Sequence, residues 1–415
     1  METIRTINII IAILFFLCYA YQFFYLVVPY IKKEKPHKQL KKHKYAVLIA
    51  ARNEEKVIGH LIESIKEQTY GNENVTIFVV ADNCTDRTAF IAGDLGAVVY
   101  ERFNKTNVGK GYALEYLLEK MEADFPLFDG YFVFDADNVL DKKYIEEMNK
   151  TFSDGYEIIT SYRNSKNYDD NWISAGYALW FLRESKYLNE PRMLLGTSCA
   201  VSGTGFLFSR KILEKYGGWK FFLLTEDIEF TVKNIISGEK VGYSKNAVLY
   251  DEQPVTFAQS WKQRLRWSKG YYQVFYHYGA KLLRGTVKGS FSCCDMMMTI
   301  MPAIVLTMAG IIFNLFVIIT GSLSEQDTAI VLRMIWLFVR NSYLLLFFVG
   351  FITTITEWKK IHATTIKKIL YMFTFPIFML TYIPISLTAL FKKVEWVPIE
   401  HNKVKTVSEI RERVE

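Results

Sequence analysis

GYFVFDAD, residues 130–137, sets the architecture of this chain. Gly130 to Phe134 is a short run with no charged residue, too short for an ordinary helix and apolar at every position. Such a run reads as a strand covered on both faces. It stops at Asp135-Ala136-Asp137. The same pattern recurs on either side. Tyr45 to Ala51 (YAVLIAA) is followed by Arg52-Asn53-Glu54-Glu55, and Val75 to Ala81 (VTIFVVA) by Asp82-Asn83-Cys84-Thr85-Asp86. Ala97 to Tyr100, Tyr156 to Tyr162 and Lys240 to Tyr250 supply further strands. Helical patterns separate them: Val57 to Gln68, a segment ending near Asp94, Tyr112 to Glu122 opened by Gly109-Lys110-Gly111, the aromatic-rich Asn167 to Tyr187, and Thr225-Glu226-Asp227 leading to Ile236. Strands alternating with helices predict an α/β, Rossmann-like, mostly parallel sheet. In such sheets ligands bind beyond the carboxyl ends of the strands, where these polar clusters fall.

The rest of the chain is of a different character. It has 415 residues, of which 51% are hydrophobic and 16% aromatic, with a formal net charge of +7. The apolar excess lies at the two ends and the basic residues sit beside it. That pattern indicates membrane orientation rather than nucleic-acid binding. Five cysteines without a CxxC pair or histidine partners at ligand spacing exclude a zinc framework and fit a reducing compartment. Ile7 to Tyr30 is long enough to cross a bilayer core of ~30 Å and carries no cleavage pattern, so it reads as an anchor within residues 1–31. Lys32, Lys33, Lys35, Lys38, Lys41, Lys42 and Lys44 follow, placing that side in the cytoplasm and the N-terminus outside. Residues 45–254 form the cytoplasmic domain and 255–290 an amphipathic interface segment. Cys293 to Thr320 and Ala329 to Thr356 read as crossings within residues 293–356, joined by a loop from Gly321 to Asp327 free of Lys and Arg. Residues 369–391 are apolar but carry Pro376 and Pro384. If they cross, the basic tail 392–415 lies outside; the charge rule and the prolines favour an interfacial or re-entrant path.

Within this frame the chemistry is carried by carboxylates and cations in a fixed order. Asp135 and Asp137 at a strand end offer oxygen ligands to a hard divalent cation such as Mg2+ or Mn2+ that bridges two phosphates. Lys110, between two glycines at a helix start, suits phosphate charge. Asp227 lies at a helix N-terminus, where a carboxylate is also a common cap. Gln263, Arg266 and Trp267 share one helix face, offering an amide, a planar cation and a flat ring. That face suits a phosphate and a sugar ring. It equally suits a helix lying on anionic lipid.

Taken together, ARNE at 51–54, ADNCTD at 81–86, NVGKGYAL at 107–114, DAD at 135–137, TED at 225–227 and QRLRW at 263–267 resemble the processive membrane-bound family-2 glycosyltransferases, which include cellulose, mixed-linkage glucan, chitin, hyaluronan and poly-N-acetylglucosamine synthases. The resemblance implies a GT-A domain with transmembrane helices at both ends. It implies a donor site of Arg52, Glu54, Asp82, Lys110, Asp135, Asp137 and Arg266 for a UDP-sugar, with Asp135 and Asp137 on the metal. Asp227 would be the general base, beside Glu226, and Arg266 would neutralise the leaving diphosphate. Trp267, Gln263, Thr204 and Gly205 would line the acceptor path. Trp396 and His401 occupy the place of a gating loop, although Pro398 and His401 depart from the family's Thr-x-Arg or Thr-x-Lys ending. Inverting, processive transfer of glucose from UDP-glucose to a β-1,4 or mixed β-1,3/1,4 glucan is the expected reaction. The alternatives are a β-N-acetylglucosaminyl polymer and transfer of one sugar to a lipid carrier; a non-catalytic sugar-nucleotide sensor is the reading from another class. Three crossings are few for a sealed export channel, so a homo-oligomer or an accessory export protein is expected with the polymer reading.

Overall fold

The computed structural model describes residues 2–37, 39–125, 128–319 and 325–412. Part of the expected outer loop (321–324) and Lys38 of the basic run lie outside the described residues. Eight strands form one sheet: β1 (Tyr45–Ala51), β2 (Val75–Asp82), β3 (Val98–Arg102), β4 (Gly130–Asp135), β5 (Val139–Leu140), β6 (Ile158–Ser165), β7 (Phe206–Ser209) and β8 (Val241–Asp251), in the order β3-β2-β1-β4-β7-β6-β8-β5. The chain's helices are α1 (Glu2–Tyr19), α2 (Tyr21–Ile31), α3 (Ile58–Lys66), α4 (Thr88–Asp94), α5 (Lys110–Asp124), α6 (Tyr144–Ser153), α7 (Trp172–Glu184), α8 (Glu190–Leu195), α9 (Arg210–Tyr216), α10 (Glu226–Ile236), α11 (Phe257–Val287), α12 (Phe291–Ile300), α13 (Pro302–Ile319), α14 (Glu325–Thr356), α15 (Thr365–Leu380), α16 (Tyr382–Phe391) and α17 (Val407–Glu412).

β1, β2 and β4 are largely apolar up to their carboxyl ends because alternate residues feed two different cores. Leu48, Val80 and Val133 face one core with Leu114 and Leu117 of α5 and Leu179 of α7. Val47, Ile49, Val79 and Phe134 face the other with Leu61 and Ile62 of α3 and Met148 of α6. β1 to β4 are mutually parallel, as the pattern predicts. β7 is antiparallel to both β4 and β6, which makes the sheet mixed. Its four residues are too few to show a period, so the apolar run ending at Arg210 gives no sign of direction.

Two helical expectations need correction. The Asn167 to Tyr187 helix starts only at Trp172, because Asn171 caps it and closes a box with Ser174, and it runs on into a π-helical turn, Ser185–Asn189. Residues 293–320 are not one straight crossing: the segments Phe291–Ile300 and Val305–Val317 are bent by 41°. The break falls where α12 ends at Ile300 and α13 begins at Pro302.

Among the described residues three helical segments are long and apolar enough to cross a membrane, Arg5–Ile31, Val331–Thr356 and Thr365–Phe391, or four if the bent pair is one span. Their attachments to the α/β domain differ. Beyond the end of α14, Tyr162 donates to Glu357, the Asn164 amide donates to the Lys360 carbonyl (2.9 Å), and Ile361 enters the domain core. At the start of α15, Lys367 reaches the Asp169 carbonyl (2.6 Å) and Tyr371 meets Tyr168. After α16, residues 396–412 run back over the strand ends. Both ends of Thr365–Phe391 are therefore held on the domain. Near the N-terminal anchor, the Arg192 guanidinium grips Asp295 of α12 at 2.7 and 2.9 Å, and Tyr21 and Tyr25 of α2 donate to the same carboxylate.

Candidate functional site

The carboxyl ends of β1, β2 and β4 bring the donor-side residues together. Asn53 and Asn83, just past β1 and β2, adopt the left-handed backbone region (φ 58° and 54°) that Asn tolerates best among non-glycine residues. The Asn53 amide oxygen accepts from Thr85 N–H and that of Asn83 from Asn104 N–H, so the turns lock each other. Asp82 is buried and one of its oxygens is taken by Arg102 (2.6 Å), whose other nitrogen donates to the Asn107 carbonyl. Its ion pair thus ties the β2 end to the turn that leads into Lys110.

Lys110 heads α5 because Gly109 takes a backbone angle (φ 136°) that a side chain would resist, and because Gly111 lies against the Phe221 backbone, where a Cβ would collide. Its ammonium meets Asp135 (2.5 Å) and the Gly203 carbonyl (2.8 Å). Burial works against the Asp135 anion, but Lys110 and Arg163 hold its carboxyl below the ordinary range. Asp137 is buried and accepts from the Glu252 N–H (2.7 Å).

Thr204 and Gly205, expected on the acceptor path, lie at the end of β4. Thr204 is buried; its hydroxyl accepts from the Asp135 N–H (2.9 Å) and donates to Asn138 (2.5 Å). The Gly205 carbonyl accepts from Tyr144 and Ser161. Both residues brace the end of β4. The neighbouring Gly203 N–H donates to Asp227 (2.6 Å). The segment Ser202-Gly203-Thr204 thus touches Lys110, Asp135 and Asp227 at once.

Asp227 and Glu226 lie in the first turn of α10, whose N–H groups favour negative charge. Burial raises the Asp227 carboxyl, and N–H groups of Ile228 and Gly203 pull it back. Glu226 is pushed up to about 7 by burial and by Asp227, against the opposing pull of Lys110 and Arg266. The QRLRW residues divide between site and scaffold. Arg266 acts on Glu226. The Trp267 ring packs edge-on against Tyr177 (5.7 Å) and Phe181 (6.2 Å) in a cluster with Phe378. Gln263 keeps a buried amide oxygen with no partner among the described residues. Arg264 is fully buried under α15, donating to the Phe378 carbonyl and to Thr381 and lying over the Phe378 ring (4.3 Å).

The C-terminal stretch reaches the donor side. Trp396 lies beside Gly109, with the Arg52 guanidinium 5.5 Å from its ring centre. His401 pairs with Glu54 (2.9 Å), and Glu252 accepts from the Asn402 and Lys403 N–H groups. Burial opposes a charged His401, yet Asp137, Glu54 and Glu252 together raise it to about 10. Burial raises Glu54, less so because His401 faces it.

Sequence reasoning misses Arg163, Lys166, Asp251 and Glu252. Arg163 pairs with Asp251 and stacks on Phe181 (3.6 Å). Lys166 is buried, and its ammonium has no hydrogen-bond partner among the described residues; burial lowers it. A cation inside an apolar strand (Arg163) and a carboxylate closing one (Asp251) were the available signals.

The residues present fit a divalent cation. Among the described residues no three His, Cys, Asp or Glu side chains converge on one point. Asp135 and Asp137 supply two carboxylates, and one buried oxygen of Asp251 lacks a partner. One or two carboxylates, completed by substrate phosphate and water, is how Mg2+ or Mn2+ is usually held.

A mixed, mostly parallel sheet with these polar clusters at its strand ends is the GT-A fold. The chain belongs to the family described as "Glycosyltransferase like family 2", whose model matches residues 43–270. It is 27% identical over 238 residues to the beta-monoglucosyldiacylglycerol synthase of Synechocystis sp., covering 56% of this chain and 48% of that protein. It is 23% identical over 231 residues to the poly-beta-1,6-N-acetyl-D-glucosamine synthase of Staphylococcus epidermidis, covering 55% and 54%. The chain spans about half the length of the curated relatives it matches. In fold it resembles a mannosyltransferase from Pyrobaculum calidifontis in complex with GDP-Man and Mn2+, with a TM-score of 0.61 at 14% identity over 94% of this chain and 99% of that one.

Proposed function

We propose that this glycosyltransferase moves a hexose from a UDP-sugar, UDP-glucose first among them, with inversion onto an acceptor presented at the membrane surface. The observation that carries this is the convergence of Asp227, Lys110 and Asp135 on the three residues Ser202 to Thr204. Asp227 takes the proton of the acceptor hydroxyl. That oxygen attacks C1 of the donor sugar, and the C1–O bond to the diphosphate breaks on the opposite face, turning an α-linked donor into a β-linked product. Lys110 and Arg266 receive the departing charge, and fixed charges aimed at a charge that develops during reaction usually contribute most to the rate in such sites. Glu54, Asp82 and Arg52 position the nucleotide. Asp135 and Asp137 would hold Mg2+ or Mn2+, which when bound neutralises diphosphate charge. Base catalysis by Asp227 contributes ~10²–10⁴-fold.

For the acceptor we favour a lipid. Lys367 at the start of residues 365–391 and His401 beyond their end both contact the domain, which supports an interfacial or re-entrant path for this segment. The crossings are then 1–31, 291–319 and 325–356, with the domain and the tail both cytoplasmic and the N-terminus outside. Three crossings enclose little space for a polymer, while Trp267 abuts Phe378 of an apolar segment suited to a membrane surface. The second reading, a processive β-glucan or N-acetylglucosamine polymerase, draws on the QRLRW sequence and the aromatic wall of Trp267, Tyr177 and Phe181.

The test is purified chain in nanodiscs with labelled UDP-glucose or UDP-N-acetylglucosamine and Mg2+ or Mn2+. Label extracted with lipid as a single-sugar product supports the lipid reading; label in a glycanase-sensitive polymer replaces it with the second. No transfer from either donor, with nucleotide still bound, rejects both in favour of a sensor.

A further inference from the structure

Arg163 is buried and charged, and the reaction described for this site makes no use of it. It lies in β6, a strand otherwise chosen for its apolar and small side chains. Nε donates to Asp251 (2.7 Å), and a terminal nitrogen also pairs with that carboxylate. The planar cation is stacked 3.6 Å over the centre of the Phe181 ring. The remaining terminal nitrogen donates to the Ser202 carbonyl (2.9 Å). Held on three sides, the guanidinium has one orientation.

The Ser202 carbonyl and the Gly203 N–H belong to the same peptide unit. In a trans peptide these two groups point in opposite directions. One end accepts from Arg163 at 2.9 Å; the other donates to Asp227 at 2.6 Å. A cation on the carbonyl polarises the peptide and strengthens the donor at its far end. Gly203 lies next in the chain with φ 76°, a region open to glycine, and an added Cβ would sit 3.6 Å from the Arg163 guanidinium.

We propose that Arg163, held by Asp251 and Phe181, is a positioning residue that orients Asp227 and keeps it ionised through the Ser202–Gly203 peptide. Arg163 itself touches neither donor nor acceptor. The inference rests on Asp227 being the base. Other groups also face Asp227: Glu226 beside it, Lys110 from α5 and the neutral Tyr271 phenol from α11, while Arg266 of α11 acts on Glu226. Arg163 differs from them in acting through a bonded unit whose direction is set, so its loss changes the aim of the Gly203 N–H as well as the charge.

Three variants of the full chain in nanodiscs test this: Arg163→Gln, Arg163→Lys and Asp251→Asn, each measured for kcat against pH and for UDP affinity with Mn2+. The expected result for Arg163→Gln is a kcat lowered about tenfold at neutral pH and an acidic limb moved up by about one pH unit, with UDP affinity within twofold of wild type. Arg163→Lys restores part of the shift, because a cation still reaches the Ser202 carbonyl. Asp251→Asn moves the limb in the same direction by less, and decides the matter if Arg163→Gln does not fold. An unmoved limb in the folded variants, or a loss of UDP affinity matching the loss of kcat, overturns the proposal. Asp227→Asn separates the two levels: if it retains transfer, the base assignment itself is wrong; if it is inactive while the Arg163 limb stays put, only the relay is wrong.

Discussion

Gly270→Ala adds one methyl where helices α10 and α11 touch, three residues after Trp267. The new Cβ would lie 2.5 Å from Thr225 Cγ2 and Oγ1 and 2.9 Å from its Cβ. Carbon atoms rest at ~3.5–4.0 Å, so the helices must part by about 1 Å. Thr225 precedes Glu226 and Asp227, whereas Arg266 rides on the opposite helix. The methyl therefore widens the gap between base and leaving-group cation. Overpacking of this kind costs ~1–3 kcal/mol, offset by ~1 kcal/mol of helix propensity. A displacement of about 1 Å at a reacting centre costs on the order of 10²-fold in rate. Gly285 of the same helix provides the control, since its added Cβ would meet Cys293 Sγ at the same 2.5 Å but far along the chain from the motif. The assay is kcat for transfer alongside thermal unfolding. Gly270→Ala should lose about two orders of magnitude in kcat with donor KM little changed, while Gly285→Ala loses comparable stability and keeps its kcat. Equal kcat losses in the two variants, or none in Gly270→Ala, would refute the reasoning.

Other outcomes follow from the same site. Transfer should rise with pH above the ordinary carboxylate range, since burial raises the Asp227 base and Glu226 beside it is pushed up to about 7. For stability the sign is opposite: an acid raised in the folded state contributes stability below its unfolded value and loses it as pH rises through about 7, so thermal unfolding measured from pH 5 to 8 should shift downward where activity climbs. Arg264→Ala should destabilise by ~2–4 kcal/mol through lost packing and orphaned Phe378 and Thr381 acceptors, read as a lower unfolding temperature. His401→Gln should expose Lys403 and Lys405 to trypsin; in the wild type the latch should hold at neutral pH and loosen only as pH rises through about 10. Chelation of divalent cations should abolish transfer and weaken UDP binding, and Asp137→Asn should do the same with metal present.

The sheet was legible because a strand buried on both faces has no polar residues to disguise it; Tyr45–Ala51 matches its prediction at both ends. β7 was not, because four residues carry no period. Within the site, Lys110 and Asp227 could be read from helix-start chemistry, and the structure brings them onto one segment. The bracing of β4 by Thr204 and Gly205 was not legible, because small residues beside a site carry no sign of which strand end they hold. Arg264 and Arg266 are two positions apart in one basic-aromatic motif, and only packing separates the buried scaffold cation from the one beside Glu226. Lys166 was invisible because the carboxylates around it, Asp137, Asp251, Glu252 and Glu54, come from other parts of the chain.

The pairing of His401 with Glu54 joins positions 347 apart. Contacts this distant form late, since the chain between them must first find its place. Here the intervening chain includes the bent pair, α14 and the α15–α16 segment, which are long and apolar enough to cross a membrane. A newly made domain can thus fold its sheet early but cannot close its donor side until those segments have found their place and the chain beyond them has returned. If the site works as proposed, assembly order itself guards against futile consumption of the donor, since capacity for transfer would arise only in molecules whose apolar segments are already in place.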